Sequence, residues 1–133
     1  MGKESQLCIY REFCGKGMAL EHDGSLYSCD HYVYPEYKLG NIMQTSSSRM
    51  VFSARPKEFG FNKFNSLARQ CRECNCLFAC HGECAKNQLI RTPEGEVGLN
   101  YLCSGLQKFW HHTDRDVQDI CRHMARGESL KPG

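Results

Sequence analysis

The cysteines of this chain constrain its fold more than any other feature. Ten of the 133 residues are cysteine. Eight of the ten follow a spaced pattern, and four thiolates are what one structural zinc ion or one iron–sulfur cluster requires. The sequence therefore predicts a chain folded around two inorganic sites. The eight residues are Cys8, Cys14, Cys29, Cys71, Cys74, Cys80, Cys84 and Cys103.

The remaining apolar content is too low for an ordinary hydrophobic core. Leu, Ile, Val and Phe together number 26 of the 133 residues, just under a fifth. In a chain of this composition, the burial of apolar side chains hardly offsets the conformational entropy that is lost on folding. Because metal binding at a structural site contributes directly to folding, we expect the inorganic sites to supply much of the missing stabilisation.

The sequence predicts a reducing cellular setting. No signal peptide is visible in residues 1–16, and no apolar run approaches the roughly 20 residues that span a bilayer. We therefore expect a cytoplasmic protein without membrane contact, in which clustered cysteines bind metal rather than form disulfides. The net charge of +2 is too close to neutral to indicate nucleic-acid binding.

A β-hairpin is predicted near the N-terminus. Asp23-Gly24 separates two strand-like segments, Met18–Glu21 and Leu26–Ser28, and Asp-Gly favours a hairpin because the turn requires a positive φ. The segment that follows, Tyr32–Ile42, is rich in aromatic residues and is predicted to be irregular. With short helices and long metal-ligand loops, this pattern predicts a small, cysteine-rich α+β domain.

Three helices are predicted after the hairpin. Apolar residues at helical spacing predict a helix over 62–70, and a second apolar stripe predicts one over 114–126. A short helix is also predicted over 49–54. Three further segments are interpreted as a ligand loop, a turn and a solvated basic surface, and these are Cys71–Cys84, Thr92–Gly95 and Lys57–Lys63, respectively.

The cysteine spacing leaves two kinds of inorganic site open. Cys71-x2-Cys74 is a common arrangement in structural zinc sites, and an isolated domain could bind zinc in place of a cluster. Zinc modules usually contain two such pairs, however, and this chain has one. An iron–sulfur cluster is wider than a single ion and can collect thiolates from scattered segments, which fits the irregular spacing better.

The complete pattern reads Cys14-x9-Gly24-x4-Cys29, then Cys71-x2-Cys74-x5-Cys80-x3-Cys84, then Cys103. This pattern resembles the seven-cysteine SPASM motif of the C-terminal auxiliary-cluster domain in a group of radical S-adenosylmethionine enzymes. The added Cys8, which forms Cys-x5-Cys with Cys14, is similar to one branch, the anaerobic sulfatase-maturating enzymes. The resemblance covers about residues 8–112. Neighbouring segments that resemble this branch are Cys29–Val33, Glu36–Ile42 and Gly82–Asn87.

The resemblance implies two auxiliary 4Fe-4S clusters, each held by four thiolates. In this assignment Cys84 crosses from the second cysteine run to the first cluster. Cys76 and Cys121 are left over, and both are interpreted as small apolar side chains. The implied ligands of the first cluster are Cys8, Cys14, Cys29 and Cys84. The implied ligands of the second cluster are Cys71, Cys74, Cys80 and Cys103.

The resemblance also implies partners outside the chain. Radical S-adenosylmethionine enzymes use a Cys-x3-Cys-x2-Cys triplet for their reactive cluster, and this chain has no such triplet. We therefore expect a fragment that lacks its N-terminal barrel, binds no S-adenosylmethionine and is inactive alone. Its expected parts are a leader at 1–7, the domain with both cluster sites at 8–112, an amphipathic helix at 113–127 and a flexible tail at 128–133.

The function that the resemblance implies is oxidation of a Cys or Ser in a sulfatase polypeptide to formylglycine. Asp30 matches the acidic residue that serves as general base in this family, and a carboxylate beside a cluster could accept the released proton. The alternative role for Asp30 is hydrogen bonding within the ligand loop. Two other functions remain open: a zinc-stabilised binding module without a redox role, and a maturase domain that acts on another peptide.

Histidines and tyrosines complete the set of candidate residues. Three histidines could ligate metal, but the eight cysteines already fill both sites, so we expect solvated or hydrogen-bonded imidazoles at His31, His111 and His112. Three tyrosines could line a peptide groove, although filling the thin core is the simpler role, and these are Tyr32, Tyr34 and Tyr37.

Overall fold

Short strands and helices, joined by loops, make up the first part of the described chain, and one long helix follows them. The structure, a computed structural model, describes residues 5–127. The chain divides into two units, Met1–Tyr101 and Leu102–Gly133. The combination of small antiparallel sheets with helices confirms the predicted α+β class.

A three-stranded antiparallel sheet contains the predicted hairpin. Strand β1 (Ala19–Leu20) pairs with β2 (Ser25–Tyr27) across a turn in which Gly24 has a φ of +81°. The Asp23 carboxylate accepts hydrogen bonds from the backbone N–H (2.9 Å) and the hydroxyl (2.7 Å) of Ser25, which fixes the turn. The hairpin prediction is therefore confirmed.

The third strand of this sheet corrects the sequence analysis. Strand β3 (Lys38–Asn41) pairs antiparallel with β2, with a register shift between Leu26 and Tyr27. This strand lies in the segment that was predicted to be irregular. That prediction was wrong because the backbone donors and acceptors of β2 pair on both sides, and sheet pairing outweighs the weak strand propensity of a Gly-Asn sequence.

A second, two-stranded sheet surrounds the predicted turn near residue 93. Strand β4 (Ile90–Arg91) pairs antiparallel with β5 (Val97–Leu99). The backbone N–H of Gly95 donates to the carbonyl of Thr92 (2.9 Å), which confirms the turn. The strands themselves are short, and two of their five residues show the register shift of a bulge.

Five α-helices and three short 3₁₀ helices lie in the described residues. The α-helices are α1 (Ser47–Val51), α2 (Ala54–Asn65), α3 (Arg69–Arg72), α4 (Leu77–Cys80) and α5 (Cys103–Ala125). The 3₁₀ helices are Cys8–Tyr10, Pro35–Tyr37 and Ala85–Asn87. The segment predicted as a ligand loop, Cys71–Cys84, thus includes the end of α3 and the whole of α4.

All three predicted helices have different bounds in the structure. The helix predicted over 49–54 spans Ser47–Val51. The helix predicted over 62–70 begins at Ala54 and ends at Asn65, because Ala68 is extended (φ −58°, ψ 153°) and separates α2 from α3. The helix predicted over 114–126 begins at Cys103. Its first half carries Leu106 and Trp110 at the i, i+4 spacing that supports a helix.

The buried apolar residues of the described chain are few, as the composition predicts. They are Leu26, Met50, Leu67, Ala68, Cys71, Cys76 and Leu99. All of them lie in the first unit. The buried face of α2 consists of Pro56, Gly60 and Lys63, so this helix contributes no large apolar side chain to the buried set.

The glycine in α2 allows the Cys14 segment to lie directly on the helix backbone. A Cβ atom at Gly60 would lie 2.5 Å from the carbonyl oxygen of Cys14, and one at Gly15 would lie 2.6 Å from that of Pro56. The backbone N–H of Cys14 donates to the carbonyl of Gly60 (3.4 Å). The first unit therefore depends on a backbone-to-backbone contact that side chains would prevent.

The second unit is described through Gly127. No residue of α5 is buried. The helix ends at Ala125, and Gly127 adopts the positive φ (+69°) that is typical of a residue after a helix. The tail predicted at 128–133 and the first four residues of the predicted leader lie outside the described residues. No helix among the described residues is long and apolar enough to cross a membrane.

The contact between the Cys14 segment and α2 predicts the effect of a glycine substitution. We expect Gly60→Ala to destabilise the metal-loaded chain by about 1–3 kcal/mol, because the new methyl group must displace backbone. Gly17→Ala is the matched control: it lies in the same segment, and no atom lies within 4 Å of its Cβ position. Denaturant unfolding of both variants checks the prediction, and equal midpoints would contradict it.

Candidate metal centre

Four cysteines of the first unit come from four separate segments. Cys8 begins the first 3₁₀ helix, which lies against α4, and Cys84 follows α4 by four residues. The backbone of Cys14 packs against that of α2, as described above. Cys29 follows strand β2, and the backbone N–H of Asp30 donates to the carbonyl of Gly17 (3.2 Å), which ties this loop to the Cys14 segment.

The sulfur atoms of this group make polar contacts. The Nδ1 atom of His31 lies 3.3 Å from the Sγ of Cys84, so His31 is hydrogen-bonded to a predicted ligand. The thiol of Cys29 donates to Oδ1 of Asp30 (3.4 Å), and the thiol of Cys14 lies 4.0 Å from the carbonyl oxygen of Phe59. The contact between His31 and Cys84 links the loop after β2 to the loop after α4.

The four thiols lie close enough together for the charge of one to affect the pKa of another. Burial raises the pKa of Cys14, and the charges of Cys8 and Cys84 raise it further. Burial is also the main cause that raises the pKa of Cys29 to about 12, with smaller contributions from Asp30 and Cys14. The pKa of Cys84 is raised by burial, by Glu83 and by Cys8. Without metal these three thiols are therefore protonated at neutral pH, and metal binding would release protons.

A buried lysine lies beside the same thiols. Only 2% of Lys63 is exposed, which corrects the prediction that Lys57–Lys63 is a solvated surface. Its Nζ atom donates to the carbonyls of Cys8 (3.1 Å), Ile9 (2.8 Å) and Arg11 (2.5 Å). The charge of Lys63 lowers the pKa of Cys14 and of Cys84, opposing the effect of burial. No spacing rule for metal ligands could have identified it.

Glu83 forms a second buried polar group next to Cys84. Its φ of +56° is unusual for a residue with a side chain. Its Oε2 atom accepts hydrogen bonds from the side-chain amides of Asn87 (2.7 Å) and Asn100 (2.9 Å), and Asn100 also donates to the carbonyl of Gly82 (3.1 Å). This network orients the backbone immediately before Cys84.

The second predicted ligand set is divided between the two units. Cys71, Cys74 and Cys80 lie on α3, the turn after it and α4, in the first unit. The backbone N–H of Cys76 donates to the Sγ of Cys74 (3.4 Å), so Cys76 contacts a predicted ligand through its main chain while its side chain is buried. Cys103 is the first residue of α5, in the second unit.

None of the ten cysteines forms a disulfide, and all ten lie within the described residues. In residues 5–127 no group of three or more Cys, His, Asp or Glu side chains is arranged to hold a single metal ion. A four-iron cluster binds its thiolates on four different iron atoms, so its ligands surround a volume instead of a point.

The remaining predicted site residues occupy varied positions. Asp30 accepts hydrogen bonds from the Cys29 thiol and from the backbone N–H of His31 (3.1 Å), within the ligand loop. His111 and His112 are exposed on α5. Tyr32 and Tyr37 form edge-to-face contacts with Phe59 and line a cavity of about 330 Å³ that Lys63 also borders. Tyr34 is 44% exposed, and Nζ of Lys86 lies 4.2 Å from its ring centre.

Comparison with known families identifies the domain. Residues 8–75, more than half of the chain, match the SPASM family, which is described as an iron–sulfur cluster-binding domain. The chain belongs to this family. The resemblance that the cysteine spacing indicated is therefore confirmed.

Curated relatives bear the names of sulfatase-maturating enzymes. The serine-type anaerobic sulfatase-maturating enzyme of Bacteroides thetaiotaomicron is 48% identical over 112 residues, which are 84% of this chain and 27% of that protein. The cysteine-type enzyme of Clostridium novyi is 31% identical over 125 residues, 94% of this chain and 33% of that protein. The chain thus spans about a quarter to a third of the length of these relatives.

Solved structures share the fold. Native anSMEcpe with bound AdoMet has a TM-score of 0.74 and 24% identity, with coverage of 89% of this chain and 32% of that chain. Native anSMEcpe with AdoMet and a bound peptide has a TM-score of 0.75 at the same identity, over 90% of this chain and 32% of that chain. This likeness supports the same small α+β fold.

The predicted ligand sets imply different outcomes for two cysteine substitutions. We expect Cys84→Ala to reduce the iron content of the anaerobically reconstituted chain from about eight to about four atoms, because one cubane loses a ligand. Cys121→Ala, outside both sets, should leave the iron content unchanged. Iron and sulfide analysis checks both variants, and full iron content in Cys84→Ala would contradict the assignment.

Proposed function

We propose that this chain is the auxiliary-cluster domain of a radical S-adenosylmethionine enzyme that oxidises a sulfatase Cys or Ser to formylglycine. One observation carries the proposal: backbone and side-chain contacts join the four distant segments of the first unit that carry Cys8, Cys14, Cys29 and Cys84. Zinc-binding modules do not require so many separate segments. The names of the relatives supply the enzyme class.

The proposed ligands of the first 4Fe-4S cluster fit the chemistry of that group. Four thiols supply the thiolates that a cubane requires, and the half-buried site would limit its contact with water. The second proposed cluster uses Cys71, Cys74, Cys80 and Cys103. With four protein thiolates each, neither cluster would have an open iron, so both are proposed for electron transfer and for forming the substrate site. When bound, such clusters supply one-electron redox chemistry.

Asp30 is proposed as the base of the reaction. Oxidation of a substrate alcohol or thiol to an aldehyde-level product requires loss of a proton from its oxygen or sulfur, and a carboxylate can accept it. Asp30 directly follows Cys29, and its Oδ1 atom accepts a hydrogen bond from the backbone N–H of His31 (3.1 Å). This bond and the adjacency to Cys29 would keep the carboxylate beside the proposed first cluster, where a released proton and electron could leave the substrate together.

The proposed partners lie outside this chain. The relatives are about three to four times as long as the aligned segment, and the missing part would include the N-terminal barrel that binds S-adenosylmethionine. The proposed substrate is a sulfatase polypeptide, in keeping with the names of the relatives. Reduced cysteines suit a reducing compartment, and we propose the cytoplasm.

Metal analysis tests the proposal directly. We expect the anaerobically reconstituted chain to be brown and to contain about eight iron atoms and about eight sulfides, four of each for every cubane. Zinc as the only metal after anaerobic preparation would support the binding-module alternative and contradict the cluster assignment.

A substitution of Asp30 tests the proposed base. In the full-length enzyme that contains this domain, we expect Asp30→Asn to lower turnover by about 10²–10⁴-fold, because the amide cannot accept the proton. Both auxiliary clusters should remain, since Asp30 is not among the proposed ligands. Asp23→Asn, at the hairpin turn, is the matched control and should keep turnover. Normal turnover in Asp30→Asn would refute the role.

A further inference from the structure

Lys63 is the most unusual side chain of the first unit. It is among the largest fully buried side chains of the described residues, although lysine is seldom buried without a charged partner. An ammonium group has three N–H donors, and all three have acceptors here: the carbonyls of Cys8, Ile9 and Arg11. The side chain therefore connects α2 to the segment that carries the first predicted ligand.

The three acceptors of Lys63 are neutral, so they do not balance its charge. Taking an ammonium group out of water costs several kcal/mol unless an opposite charge compensates. The acidic groups that interact electrostatically with the buried ammonium are Cys14, Cys8, Cys84 and Glu83. Three of these four groups are proposed ligands of the first cluster, and they become anionic when they bind iron.

We propose that Lys63 is a positioning residue for the first cluster, which holds the Cys8 segment in place and balances the negative charge of the cluster thiolates. This inference rests on the proposed function. It explains why α2 buries a lysine on the face where Pro56 and Gly60 are also buried. A methionine would fill a similar volume there, but it would remove three hydrogen bonds to backbone carbonyls and would leave the thiolates without this cation.

The charge of Lys63 has a consequence for the potential of the cluster. A nearby cation stabilises the reduced form, because reduction adds one negative charge. Removal of the ammonium should therefore lower the reduction potential of the first cluster and leave that of the second unchanged. A lysine that only joined two backbone segments would not produce this selective shift.

Lys63→Met in the reconstituted chain tests the inference, with Lys57→Met as the control. Lys57 lies on the same helix and is exposed. We expect one of two results for Lys63→Met. Either its iron content decreases from about eight to about four atoms per chain, or the iron content is unchanged and the reduction potential of the first cluster is lower. Lys57→Met should match the wild type. In a redox titration, the signal that is present in the wild type and absent in Cys84→Ala is assigned to the first cluster.

The outcomes separate this inference from the proposed function. Eight irons with unchanged potentials in Lys63→Met would overturn the role of Lys63 alone. Loss of both clusters in parallel would also overturn it, because that result indicates a general role in folding. A wild-type chain that binds no iron after reconstitution would overturn the proposed function and, with it, this inference.

Discussion

The direct contact between the Cys14 backbone and α2 is the constraint on which the first unit depends. The contact requires glycine at position 60, because any Cβ atom there would collide with the carbonyl oxygen of Cys14. Gly15 meets the same helix at Pro56 and Gly60. Because Cys14 is a proposed ligand, this close approach also sets the position of one thiol relative to Lys63, which lies one helical turn after Gly60.

The thin apolar core makes polar interactions unusually important in this fold. Leu67, Ala68 and Leu99 are buried, yet Lys63 and the Glu83–Asn100 pair occupy interior positions that a larger domain would fill with apolar side chains. Buried polar groups are stabilising only when all their hydrogen bonds are made, and they then favour one arrangement over others. In this unit, a few fixed polar contacts around the cysteines take the place of part of the hydrophobic core.

The parts of the fold that sequence could predict are those with local causes. Asp23-Gly24 fixes the hairpin through its own turn geometry, and the cysteine spacing was sufficient to identify the family. The buried face of α2 could not be predicted, since Pro56, Gly60 and Lys63 read individually as a helix breaker, a weak helix former and a solvated residue. Their burial is caused by the Cys8–Cys14 segment, about fifty residues away in the chain. Strand β3 was missed for the same reason, because its partner β2 lies outside the segment.

Cys84 shows how the two cysteine runs are joined. By spacing it completes the run that begins at Cys71, but its thiol is coupled to Cys8 and lies 3.3 Å from Nδ1 of His31, on the loop after β2. As a proposed ligand of the first cluster, Cys84 would make the N-terminal sheet and the helical turns α3 and α4 interdependent. Binding of that cluster would then stabilise both parts at once, and this coupling would account for how a chain with seven buried apolar residues among those described could fold cooperatively.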